Sequence, residues 1–137
     1  MELPAPGGKV EKLRIYHEAL DFADRITLLT ESFPRGKYYL ADQLNRAAVS
    51  IAANIAEGNG RYGGKDRRHF FVIARASAHE CIPLLEIAKR RGLIGAETHN
   101  ELGRQLDVIS KMLFGLIEKR QGSRSESRKP GSEDLLA

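Results

Sequence analysis

Cysteine occurs once in these 137 residues, and no apolar run approaches the length of a membrane-spanning helix. A lone Cys81 cannot close an internal disulfide, and it falls inside an apolar periodic stretch, where a buried, inert thiol is expected. Met1 to Gly8 holds Pro4, Pro6 and two glycines but no apolar segment of the kind a secretory leader needs. A soluble, cytoplasmic protein is the expectation. Sustained strand alternation is also missing, and so are a nucleophile elbow, a phosphate-binding loop with its lysine, and zinc-ligand spacing. These absences point away from an enzyme.

What is present is a mild positive charge with an uneven distribution. The net charge is +4. Lys and Arg exceed Asp and Glu by six between residues 35 and 91, residues 1–34 carry a net −2, and the rest of the chain balances. The excess lies in the middle, so the partners that charge attracts are to be sought there.

The apolar residues keep helical time. Ile15, Ala19, Phe22, Ile26, Leu29 and Phe33 step by four, three, four, three and four, which marks one helical stripe. Pro34 and Gly36 interrupt it, and Leu40, Leu44, Ala47, Ala48, Ile51, Ala52 and Ile55 form a second stripe ending at Gly58. After a Gly-rich turn, Phe70, Ile73, Ala74, Ser77, Cys81, Leu84, Leu85 and Ala88 carry a third, stopped by Gly92. Leu102, Leu106, Ile109, Leu113 and Leu116 make a fourth, from about Ala96 to Arg120. Long helices with short connections predict an all-α, antiparallel up-down-up-down four-helix bundle over residues 10–121, flanked by disordered segments at 1–9 and 122–137. Pro83, which lacks an N–H and crowds the carbonyl of His79, predicts a kink in helix three. Phe71, Ala76 and Ala78 fall off the main stripe of helix three, and Tyr38, Ala41 and Ala53 widen the apolar face of helix two. Such faces suit contact with another chain, although singly exposed apolar residues need no explanation.

Several residue sets are candidates for chemistry. Gly58, Gly60 and Gly63 match the letters of a dinucleotide-binding fingerprint, but the preceding residues have helical period and no strand exists to begin the fold. A weaker version survives, in which the turn and Arg61, Lys65, Arg67 and Arg68 hold a phosphate; the competing view is a plain interhelical turn followed by a solvated basic stretch. Lys89, Arg90 and Arg91 form a second basic run, suited to a helix C-terminus and about 39 Å from Lys65 along the helix. No Glu-x-x-His occurs, and Asp66 with His69 has no counterpart on another helix, so no metal site and no cofactor are expected. Within the stripes, Arg46, Ser50, Asn54 and Glu57 of helix two and Ser77 and Glu80 of helix three suggest a structural polar network fixing helix register, with Arg46 facing Ser77 and Glu80, and Glu57 held by Arg75 or by the start of helix three. A ligand site is the alternative.

In combination, the run from Gln43 to Gly58, with Arg46, Ser50, Asn54 and Glu57, resembles the signature of the 23S rRNA intervening-sequence family of four-helix-bundle proteins. Phe33-Pro34, Phe70-Phe71, Ala74, Ser77, Glu80 and the Leu-rich last helix agree with it. Ala52-Ala53, Arg75-Ala76 and Pro83 depart from its usual pattern. The resemblance implies a bundle that assembles into a ring, typically a homopentamer, and relatives among the accessory proteins of diversity-generating retroelements, which bind nucleic acid and a reverse transcriptase. The expectation is therefore a non-enzymatic oligomer binding RNA or DNA through basic ring ends with little sequence preference. The alternative is a protein-interaction scaffold that docks a reverse transcriptase or another nucleic-acid enzyme.

Overall fold

The computed structural model describes residues 10–124. Four helices, α1 (Val10–Thr30), α2 (Tyr38–Asn59), α3 (Gly64–Arg90) and α4 (Ala96–Arg124), account for nearly all of them, with a short 3-10 turn at Arg35–Lys37 before α2. No strand occurs among the described residues. Each helix packs on the next in sequence and α4 returns to α1, so the four enclose one core. Of the expected disordered segments, 1–9 and 122–137, residues 1–9 and 125–137 lie outside the described residues, while 122–124 are helical. Residue 121 is no helix end, because α4 continues to Arg124.

The stripe of α2 enters the core without exception, from Leu40 to Ile55. In α1 the helix stops at Thr30, ahead of Phe33, whose side chain is nonetheless buried. Pro34 explains the early stop, since a residue before proline is pushed out of the helical region. Thr30 Oγ1 then bonds back to the carbonyl of Ile26 at 3.0 Å, and Asn45 Nδ2 donates to Thr30 Oγ1 at 2.9 Å, fastening the end of α1 to α2.

The stripe of α3 is turned from the expected one. Phe71 and Ala78, placed off the stripe by sequence, are fully buried, whereas Phe70 and Ile73 are only half-buried. The core row is Phe71, Ala74, Ala78, Cys81, Leu85 and Ala88, with Ser77 and Leu84 beside it. The cause is local: Gly58 leaves a gap on α2 that the Phe71 ring fills. A Cβ built at Gly58 would lie 2.5 Å from Phe71 Cε1, so only glycine permits this approach. Of the residues offered as an outer apolar face, Ala76, Tyr38 and Ala53 are exposed, and Ala41 packs at the core margin.

α3 runs through Pro83 as one helix. Pro83 is exposed, so the His79 carbonyl that loses its partner there can turn to water. Gly92, at φ +75, ends α3 as the spacing predicts: the Leu93 N–H donates to the Ala88 carbonyl at 2.9 Å and the Gly92 N–H to that of Lys89 at 3.0 Å, the paired bonds of a left-handed glycine cap.

Candidate nucleic-acid interface

The link between α2 and α3 is only residues 60–63, and it is fastened from several sides. The Gly60 N–H donates to the carbonyls of Ala56 and Glu57 at 3.1 and 3.2 Å, and the Arg61 N–H to that of Gly58 at 3.2 Å. The three glycines of the nucleotide-like spacing thus serve different ends: Gly58 admits Phe71, Gly60 closes α2, and Gly63 stands open at the cap position of α3.

Arg61, Lys65, Arg67 and Arg68 come together around this turn, in unequal roles. Arg61 Nη2 bonds Glu57 Oε1 at 2.8 Å, and its guanidinium lies 4.7 Å from the centroid of the Phe70 ring. Arg67 Nε donates to the Arg61 carbonyl at 2.7 Å and so holds the turn. Lys65 is exposed and Arg68 half-buried. Each guanidinium carries five N–H donors, and the bonds to Glu57 and to the Arg61 carbonyl use one on Arg61 and one on Arg67, so both can still offer N–H groups to an anion. Glu57 and Asp66 are the carboxylates nearby in sequence, and Glu57 is engaged with Arg61.

Lys89, Arg90 and Arg91 are exposed at the far end of α3 and do not join this cluster. Arg90 Nε bonds Glu86 Oε2 at 3.1 Å, while His99 Nε2 of α4 lies 3.3 Å from Glu86 Oε1. The Arg90 hydrogen bond, helped by the nearby charges of Lys89, Arg90 and His99, holds the Glu86 carboxyl below its usual range.

The polar network differs from the expected one. Its centre is a hydrogen bond between Ser50 Oγ and Ser77 Oγ at 2.8 Å across the α2–α3 seam, with Asn54 Nδ2 donating to Ser50 Oγ at 3.1 Å and to the Ser50 carbonyl at 2.9 Å. Ser50, Asn54 and Ser77 are therefore members, as expected, although the partner of Ser77 is Ser50 and not Arg46. Arg46 is not a member: it faces solvent and pairs with Asp42 at 3.1 Å, one turn back on its own helix. Such a pair keeps its hydration, whereas a guanidinium in the seam would lose it. Glu80 is exposed and outside the network. Glu57 is also outside it, held by Arg61 rather than by Arg75 or the start of α3, because Arg61 follows it by four residues, one helical turn. Arg75 instead lies 5.2 Å from the centroid of the Phe114 ring on α4.

Cys81 is buried, and burial with the neighbouring charge of Glu80 pushes its thiol up to about 12, far from a reactive thiolate. Among the described residues no group of three or more His, Cys, Asp or Glu side chains converges on a point that could hold a metal ion, and no helix is long and apolar enough to cross a membrane. One residue of the turn went unmarked in the sequence: Tyr62, whose side chain is 95% exposed beside Arg61. An aromatic placed between a basic residue and two glycines was the available signal.

No curated protein matches the chain. A crystal structure of a protein of unknown function from the S23 ribosomal protein family of Bacteroides thetaiotaomicron superposes with a TM-score of 0.74 at 25% sequence identity, covering 79% of this chain and 98% of that one. The family model of the 23S rRNA-intervening sequence protein matches residues 11–115, which takes in all of α2 and α3, their turn and the Ser50–Ser77 seam. The chain belongs to the 23S rRNA-intervening sequence protein family.

Proposed function

We propose that this protein is a non-enzymatic, cytoplasmic oligomer that binds RNA or DNA through phosphate contacts with little sequence preference. One observation carries the reading: four of the eleven cations between residues 35 and 91, namely Arg61, Lys65, Arg67 and Arg68, belong to one short, fastened turn and the first turn of α3, with only Glu57 and Asp66 as carboxylates nearby in sequence. The turn is fastened before any ligand arrives, so little ordering entropy opposes binding there. Attraction of this kind reads the phosphate backbone and not the bases, hence the lack of sequence preference.

The antiparallel order of the helices and their assembly into a ring, with a pentamer as the family's typical form, belong to the same proposal. Contacts between late α1 and early α4 (Arg25 with Glu101) and between late α2 and early α3 (Gly58 with Phe71) support the antiparallel order. Exposed Val49, Ile82 and Phe114 support burial against further copies. In a ring of parallel copies, the Lys65 end and the Lys89–Arg91 end would each become a circle of positive charge.

Fluorescence anisotropy of labelled single- and double-stranded RNA and DNA at stepped salt tests the reading, with oligomer mass measured in each sample. Binding should weaken steeply with salt. In a variant with alanine at positions 61, 65, 67 and 68 the slope should flatten, by roughly 0.7 on a single strand and roughly 0.9 on a duplex for each phosphate that these side chains neutralise in the native protein. Absence of binding near physiological salt would overturn it in favour of a protein-docking scaffold.

A further inference from the structure

Among the described residues Tyr62 is the most exposed of the large apolar side chains that face solvent, at 95%, with Tyr38 next among the aromatics at 64%. So exposed a ring adds almost nothing to folding, because stabilisation follows apolar area removed from water. Its neighbours, by contrast, are held firmly. The Arg61 N–H is bonded to Gly58, the Arg61 carbonyl receives Arg67 Nε at 2.7 Å, and the Arg61 guanidinium is fixed between Glu57 and the Phe70 ring. The chain thus invests a charged side chain in pinning the backbone directly before an aromatic that touches nothing it needs for the fold.

We propose that Tyr62 is a base-stacking residue, which makes the ligand of this turn single-stranded nucleic acid. The inference rests on the phosphate-binding reading above and deepens it. A nucleobase has an open π-face only when it is not already stacked in a duplex, and an aromatic beside cations is the arrangement that engages base and backbone together. Arg61 directly precedes Tyr62 in the chain, Arg67 holds the Arg61 carbonyl, and exposed Lys65 lies three residues on. These cations take the phosphates, and the phenol ring takes one base per copy of the chain. Since any base offers a π-face, stacking keeps the low sequence preference that phosphate contacts imply. A fixed turn also confines the ordering that stacking asks of the protein at this position to the two side-chain torsions of the tyrosine.

The test uses the full chain, short oligomers of thymidine or uridine, and a duplex of mixed sequence. Tyr62→Ala should weaken single-strand binding about five- to a hundredfold. It should leave duplex binding and the salt slope unchanged, because the residue carries no charge; Lys65→Ala should change the slope instead. The chain contains no tryptophan, so Tyr62→Trp introduces a sole indole, whose emission should be quenched by the single strands and not by the duplex. Stacking is overturned if native protein and Tyr62→Ala bind single strands equally and the indole is unquenched, while salt-dependent binding persists; phosphate binding then stands alone. Should the native protein bind neither strands nor duplex, the phosphate-binding reading and this one both fail.

Discussion

Between α2 and α3 the chain removes side-chain volume, whereas between α1 and α4 it spans a gap with long polar side chains. The first seam is the most extensive of the four and is built from Gly58 against Phe71, Ser50 against Ser77, and a run of alanines. The second is the least extensive: Arg25 reaches Glu101 at 2.9 Å and Gln105 at 3.4 Å, above a shallow groove lined by Arg25, Leu28, Leu29, Thr98 and Leu102. Small residues let helix backbones approach, so dispersion and burial act over the whole contact. Exposed ion pairs act through water and are screened by salt. The lesson is that register is set chiefly in the α2–α3 pair, the most extensive seam, and the candidate binding turn is placed at the end of that pair.

The contrast breaks most directly at Gly58. Alanine in a helix ordinarily gains about 0.5–1 kcal/mol over glycine, yet here its Cβ would strike the Phe71 ring, which is 1% exposed and would have to shift within the core. Gly58→Ala should lose about 1–3 kcal/mol in urea denaturation, and Gly58→Ala with Phe71→Leu should recover part of that loss. A stabilised single variant would show that the seam is looser than the close approach of Gly58 and Phe71 implies.

Ser77→Ala should cost about 1 kcal/mol, because Ser50 Oγ loses its cross-helix partner but keeps the Asn54 bond. The coupling between Ser50→Ala and Ser77→Ala in a double-mutant cycle measures the pair itself. On the other seam, Arg25→Ala should change stability by about 0–1 kcal/mol, and the difference should shrink in high salt. If Arg25→Ala proved costlier than Ser77→Ala, the contrast between the seams would fail.

The smallest effect at neutral pH belongs to Cys81. Its folded-state value, about 12, lies above the ordinary 9.0, so its stabilising contribution is complete below pH 9.0 and is lost as the pH rises towards 12. Denaturation midpoints should fall over that window, less steeply in Cys81→Ala. At pH 8 the native thiol should resist a disulfide reagent and react only after unfolding.

Much of this was legible in the residues. The stripes of α1, α2 and α4 were largely readable because periods of three and four favour one core face, although Leu29 and Leu116 are only half-buried and Ile117 is the buried residue near the end of α4. Helix three was ambiguous because Phe70 and Phe71 are adjacent and either starts a plausible row. Only the vacancy at Gly58 on another helix chose Phe71. The basic turn was visible as residues 61–68, but not the division of labour within it, in which Arg67 fastens backbone and Arg61 meets Glu57 and Phe70. Polar partners were the least legible: Arg46 and Glu57 each took a partner one turn away along the chain, where no desolvation is required, in place of a distant one in the seam.

The sequence alone therefore determined what depends on neighbours along the chain: helix number and approximate limits, the glycine cap at Gly92, the inert setting of Cys81 and the family. Tertiary structure decided what depends on neighbours across it, namely the rotation of α3, the Ser50–Ser77 bond, and the exposure of Tyr62 on a fastened turn. The physical reason is that periodicity and capping act within one or two helical turns, whereas the space left by a missing side chain exists only once a second helix is beside it.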